Sequence, residues 1–428
     1  MKNVKDFGAK GDGVTLDTAA IQSAIDSGGM VYFPQGTYIS GTIYLKSHGG
    51  IYLEKGAKIR ASHNHSDYNA PDFCPQNRVF PSEFMAGTHL ICAVEQEDIV
   101  ITGFGVVDGD SHYWVNEKYM HANTRFFNHP PAEANRPAQM IFFAECKNIR
   151  VIDVNLINSP FWHLFFHGCT DVTVKGLHIS GERMQWVNDG IDIDCCSRVT
   201  VSDCVIDTGD DGIAVRAVGK PLVAKDAVCE DVSISNCTIT SYVDHGIRIG
   251  VGNGIIRNCS FSNITIKDSL LGIGITCRFS PNGDAVSVEN IRFSDVTVKA
   301  LCALDVKISN NPAHPPLKAP NYLRGITFEN SCIDTERCCY ILGFHDLCTS
   351  DIAFCNTKFL YTPEDPKNER FNLKWSGIDH TDAVIYTEKT KDITFSDCRF
   401  VKNAPLVRDI TLVDCEKPVL FNTDAVIE

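Results

Sequence analysis

The sequence predicts an all-β chain folded as one right-handed parallel β-helix over residues 1–428, closed at its start by a short helix. The first reason is a pattern of apolar, any, apolar, then polar residues, then a small or apolar residue, that recurs along most of the chain. It reads Ile149, Val151, Val154, Leu156; then Val172, Val174, Leu177, Ile179; then Val199, Val201, Cys204, Ile206, and continues through Val232, Cys259 and Ile291. Period-two alternation in runs this short, rich in β-branched residues and broken by Asn, Asp and Ser, makes strands and not helices. The second reason is the spacing: successive copies begin 23 to 33 residues apart. A unit of that size cannot bury its apolar face alone and must stack on its neighbours, and it is too short for a four-stranded propeller blade of about 40 to 45 residues. The third is a phrase repeated four times, Asp189-Gly190-Ile191, Asp211-Gly212-Ile213, His245-Gly246-Ile247 and Leu271-Gly272-Ile273, whose frame is constant while its leading residue changes.

The cap is expected over about residues 1–30. There Asp17 precedes Ala20, Ile21, Ala24 and Ile25, the spacing of a short helix with one apolar face. An open solenoid end is a raw sheet edge and needs such a cover. Near the other end, residues 360–390 interrupt the strand copies and carry Arg370, Phe371, Trp375 and His380, an insert placed to wall off one end of a cleft. Equivalent residues of adjacent coils lie about 4.8 Å apart, so Cys204, Cys237, Cys398 and Cys415 are expected to form an interior ladder of small side chains.

The nineteen cysteines are odd in number and form no paired metal-binding framework, which reads as free core thiols in a reducing compartment. With no stretch resembling a leader or a membrane span, the expected location is cytoplasmic, with no membrane partner. A net charge of −14 argues against nucleic acid as a partner. It leaves room for an anionic sugar wherever local cations offset the field.

Chemistry belongs to the leading residues of the repeated phrase. Stacking the copies puts Asp189, Asp211 and His245 on one line, with Asp210 beside Asp211 and Asp192 further along its own strand. Carboxylates one or two coils apart can span the roughly 6.5 to 9.5 Å at which an inverting glycosidase seats a water. Neighbouring carboxylates also shift one another's protonation, so one can serve as acid while another serves as base. Asp203, Asp207 and Asp231 read as turn formers, and His163, His167 and His178 as packed or surface residues.

The opening Phe7-Gly8-Ala9-Lys10-Gly11-Asp12-Gly13, the stretch Asn158-Ser159-Pro160-Phe161-Trp162, and the phrases around Asp189, Asp210-Asp211 and His245 resemble the polygalacturonase family of glycoside hydrolases, family 28. The resemblance runs from about residue 4 to about residue 310 and is closer to exo-acting and bacterial members than to the short fungal endo-enzymes. It implies a pectin-lyase-like solenoid that hydrolyses uronic-acid-containing oligosaccharides with inversion, using no cofactor and no metal. It also implies Asp210 as the proton donor, Asp189 and Asp211 as holders of the attacking water, and His245 as support for the donor.

One departure stands out. The family's Arg-Ile-Lys, a clamp for the substrate carboxylate, falls on Gly274, Ile275 and Thr276. Arg248 occupies the frame position of Gly274 one copy earlier, Lys307 that of Thr276 one copy later, and Arg216 and Arg278 share the outward parity. Either the clamp has moved by one coil, so that losing Arg248 would weaken use of an acidic sugar and spare a neutral one, or the preferred glycoside is neutral or branched. Two other classes stay open, a β-helical polysaccharide lyase, testable with a chelator, and a non-catalytic carbohydrate-binding solenoid.

Overall fold

The computed structural model describes residues 1–77, 86–114, 136–223, 226–277, 285–308, 321–344, 348–363, 382–404 and 407–428. They form two compact units, one of Met1–Asp210 with Lys220–Asp226, the other of Asp211–Gly219 with Ala227–Glu428. Both are built of β-helix coils in which every paired strand is parallel to its neighbour, as the apolar repeat requires.

In the first unit a coil consists of three strands. Strands Ile141–Ala144, Lys147–Ile152 and Asn155–Ile157 make one; Leu164–His167, Thr170–Lys175 and His178–Ser180 make the next; Ile191–Asp194, Ser197–Ser202 and Val205–Thr208 the third. Their register is the one the repeat predicts: Ile141 on Leu164 on Ile191, Ile149 on Val172 on Val199, and Leu156 on Ile179 on Ile206. All nine are buried. A one-residue slip would turn each of them to the outer face, which is why the register holds.

The backbone turns through the left-handed region between strands at Asp153, Asp203 and Asn236, and bends through it within strands at Asn148, Asp171, Asp231, Asn258, Asn263, Asn290 and Asp295. Asn and Asp tolerate this conformation better than other side chains carrying a Cβ. Asp231 makes this bend inside the strand Val228–Ser235 and not at a turn, whereas Asp203, between two strands, is a turn former, as expected. Asp207 is not; it lies within a strand and pairs with Arg183 at 2.6 Å.

The N-terminal helix is Thr18–Asp26, with Ile21, Ala24 and Ile25 buried. Asp17 makes no side-chain bond to the helix, and instead accepts from the backbone N–H groups of Lys10 and Gly11 at 2.7 and 2.9 Å, tying the preceding loop to the helix start.

The second unit carries the long strands Ile255–Thr276 and Ser287–Lys307, which run round several faces of a coil without losing their ladder bonds. Its core holds a file of parallel rings, Phe261, Phe293, Phe328, Phe354 and Phe395, with successive centroids 4.7, 4.6, 5.0 and 5.1 Å apart. Outside, Glu230, Arg257, Glu289 and Arg324 alternate in sign across four coils. Such exposed pairs add little stability each, but a shifted register would lose them, because the residues flanking Arg257, Glu289 and Arg324 are uncharged.

Of the expected cysteine ladder, Cys204, Cys237 and Cys398 are buried and Cys415 is only partly so. Strands Lys358–Tyr361 and Ala383–Glu388 shorten the expected insert from both sides, and Arg370, Phe371, Trp375 and His380 lie outside the described residues.

Candidate active site

Asp189 and Asp210 belong to the first unit. Asp189 is buried, at the turn leading into strand Ile191–Asp194. Its main-chain carbonyl accepts from the His163 backbone N–H at 2.8 Å and lies 3.0 Å from His163 Nδ1. The other edge of that ring lies 3.2 Å from the Ser180 carbonyl, and burial pushes its pKa down. His163 is thus a neutral brace for the turn, in line with its packed reading.

Asn188 shapes the next turn. Its side-chain oxygen accepts from the backbone N–H groups of Gly209 and Asp210, both at 2.9 Å, and its amide donates to the Glu182 carbonyl at 2.9 Å. The Asp210 carboxylate accepts from the Val187 backbone N–H at 2.6 Å. Val187 makes that bond at φ 72°, a conformation a β-branched residue adopts only under constraint from its surroundings. The aspartate is aimed by backbone strain.

Asp192 is fully buried, next to Phe165 in register. Along that face the column runs Tyr44, Cys92, Phe142, Phe165, Asp192. Cys92, Phe142 and Phe165 of this column share one hydrophobic cluster with Phe161, Trp162 and Val187, and Tyr44 and Phe73 pack against it.

Asp211, His245, Arg248 and Lys307 belong to the second unit. Of the column expected from the repeated phrase, Ile191, Ile213, Ile247 and Ile273, the last three stack in register in this unit and continue onto Leu304, all fully buried, while Ile191 belongs to the first unit. Opposite parity gives a second column of Ala214, Arg248, Gly274, Asp305 and Tyr340, with Thr276 on Lys307 two residues on.

His245 stands at the centre. Its Nδ1 lies 3.3 Å from Asp211 Oδ1 and also contacts Asp244 Oδ1, and its Nε2 is 3.7 Å from Asp305 Oδ2. Asp211 Oδ2 accepts from Arg248 at 3.0 Å. Burial alone would raise the Asp211 carboxyl, but Arg248 and His245 outweigh it and hold the group down at about 2. Burial likewise opposes a charged imidazole, and the charge of Asp244 together with the facing carboxylates of Asp211 and Asp305 overcomes it, raising His245 to about 10.

Arg248 and Lys307 occupy the frame positions expected of them, but neither is spent on an open groove. Arg248 neutralises Asp211, and Lys307 lies 2.6 Å from Asp305. Arg216 is buried, and Arg278 lies outside the described residues.

Gly274 is explained by its neighbour. A Cβ there would sit 2.1 Å from His245 Cδ2, so the histidine ring fills the place where a longer residue would begin. Gly274→Ala is expected to push the ring off Asp211 and lower kcat by about tenfold or more, up to the 10² to 10⁴ that positioned acid–base groups contribute. Unchanged kcat in a variant whose circular dichroism matches the parent would remove His245 from the chemistry.

Sequence reasoning missed Asp244 and Asp305. Extending the repeated phrase one copy further, to Cys302-Ala303-Leu304-Asp305, would have found Asp305, because the register sets Gly274 on it. Asp211, Asp244 and His245 bring donor atoms within 4.8 Å of one another, close enough for a cation. A protonated imidazole offers no lone pair, however, and Arg248 already neutralises Asp211, so the group fits an ion-pair cluster better than a metal centre.

With this geometry in view, comparison with known proteins decides the relationship. Residues 80–335 match "Glycosyl hydrolases family 28", and residues 1–53 match "Rhamnogalacturonase A/epimerase, pectate lyase-like". The chain belongs to glycosyl hydrolases family 28. It is 28% identical over 292 residues to a "Probable polygalacturonase" of Vitis vinifera, an alignment covering 62% of this chain and 56% of that relative. The chain thus spans just over half of the grapevine protein's length. An exopolygalacturonase of Yersinia enterocolitica from the same family superposes with a TM-score of 0.74 at 18% identity, covering 98% of this chain and 77% of that one. An exopolygalacturonase of Thermotoga maritima gives 0.66 at 19%, covering 98% and 91%. At these identities the structural likeness establishes the right-handed parallel β-helix and nothing finer.

Proposed function

We propose that this family 28 chain is an inverting glycoside hydrolase that removes sugars from the end of pectic, uronic-acid-containing oligosaccharides. The observation that carries the reading is the unequal treatment of two adjacent carboxylates. Asp211 is buried between a guanidinium and an imidazolium that keep it ionised, while Asp210 is held by a backbone N–H in a partly exposed turn. An ionised carboxylate suits a base for water, and its neighbour is left to donate the proton to the leaving oxygen. Asp189 takes the second place on the water, as the family resemblance implies. Breaking the glycosidic bond then consumes one water, whose proton passes to the base while Asp210 protonates the departing sugar. No cofactor or metal is needed for these steps.

End-wise action is the reading that the resemblance to exo-acting bacterial members supports. On a pectic oligosaccharide series, short products of constant size are expected from the first minutes of reaction. A rapid viscosity loss from mid-chain cuts would overturn the end-wise reading.

A second reading, a neutral or branched glycoside as substrate, is favoured by the internal engagement of Arg248 and Lys307. Initial rates on galacturonides and on uncharged analogues of equal length separate the two. The nineteen free cysteines support a reducing, cytoplasmic setting for the chain.

A further inference from the structure

We propose that Asp305 is a positioning residue of this site, which fixes the Nε2 edge of His245 across the gap left by Gly274 and so holds the opposite edge of the ring on Asp211. The inference deepens the proposed function and rests on it only for its kinetic consequences.

Three neighbours interlock to make the arrangement. Gly274 admits the ring, since any side chain there would meet His245 Cδ2 and Nε2. Asp305, the next residue in the same column, receives the ring edge at 3.7 Å. Lys307, two residues along the same strand, lies 2.6 Å from the same oxygen, Asp305 Oδ2. Asp305 is 1% exposed, and neither of its carboxylate oxygens makes a regular hydrogen bond. A buried carboxylate with so little hydrogen bonding is costly unless charges face it. Lys307 and His245 are those charges, and they hold the Asp305 carboxyl down at about 2 against the opposing effect of burial.

Charge balance points the same way. The groups facing His245 are the carboxylates of Asp211, Asp244 and Asp305, with Arg248 on Asp211 and Lys307 on Asp305. The remaining neighbours in register, Leu271 and beyond it Cys302 and Tyr340, bring no opposing cation. Three negative charges stand against two fixed positive ones. The cluster is neutral only when the imidazole carries a proton, and Asp305 is the carboxylate that reaches its Nε2 side. Without Asp305 the ring loses its outer support and a counter-charge together.

The test is a titration of His245 in the full chain labelled with ¹⁵N-histidine, with H245Q used to assign its signals. Asp305→Asn removes the charge and keeps the shape. The double variant D305N/K307M removes the buried pair as a whole, so that no unpaired lysine is left to spoil folding. In Asp305→Asn the His245 midpoint is expected to fall by about one pH unit or more; in the double variant, which removes one charge of each sign, it falls by a smaller but resolved amount because the carboxylate facing Nε2 is gone, and in both the alkaline limb of kcat/KM on a galacturonide moves down with it, with KM little changed. A midpoint that stays at the parent value in either folded variant overturns the proposal. If the midpoint moves while the parent chain hydrolyses no glycoside, the positioning role stands and the proposed function falls.

Discussion

Asp210→Asn is expected to lower hydrolysis of a pectic oligosaccharide by at least the 10² to 10⁴ that a positioned acid contributes, with thermal stability close to that of the parent. The asparagine can still accept from the Val187 N–H through its side-chain oxygen, so the turn held by Asn188 keeps its bonds. What it cannot do is give a proton to the leaving oxygen. Reducing-end assays and a melting curve on the same preparation check both halves. Full activity in a folded Asp210→Asn protein would exclude it as the acid, and a binding protein would show no difference between the two.

Arg248→Met is expected to cost both stability and rate. The guanidinium is the partner of an almost completely buried carboxylate, and removing one member of such a pair typically costs about 3–5 kcal/mol, readable as a lower urea midpoint at unchanged slope. Burial would then push Asp211 upward with only His245 to oppose it. Asp211 contributes stability above its unfolded pKa that is lost only as the pH falls through about 2, and without Arg248 that loss begins at higher pH. The acid limb of kcat/KM should rise accordingly, and by the same amount on acidic and neutral sugars. This departs from the expectation that a relocated clamp would spare neutral sugars, and the reason is the 3.0 Å bond to Asp211. Loss confined to acidic sugars would restore the clamp and remove Arg248 from the control of Asp211.

The columns were legible because period-two alternation and a near-constant repeat determine which residues stack. Ile213, Ile247 and Ile273 follow from the repeated phrase, and so do the frame positions of Arg248 and Lys307. What a side chain does at a given frame position was less legible. Asp17 looks like a helix cap and ties a loop instead, because the backbone donors of Lys10 and Gly11 come within its reach. Gly274 reads as a missing arginine and serves as the floor under a histidine ring, a relation between neighbouring coils that no single repeat contains. The role of Asp305 was not legible because it depends on the His245 ring crossing the gap at Gly274, a contact between coils that the frame position alone does not show. The long insert was overdrawn at both ends, since the strands Lys358–Tyr361 and Ala383–Glu388 lack the strict spacing of the earlier copies.

The file of phenylalanine rings in the second unit has a consequence for how damage spreads. Each ring touches the one before and the one after, so the energy of the stack is a sum of nearest-neighbour couplings, as in a one-dimensional chain of spins. A lesion at Phe354 frees Phe328 and Phe395 of one coupling each and is felt only indirectly at Phe261. Under heat or mechanical load such a stack unzips from its nearer end, and the distance of a coil from that end, measured in rings, sets how long it lasts.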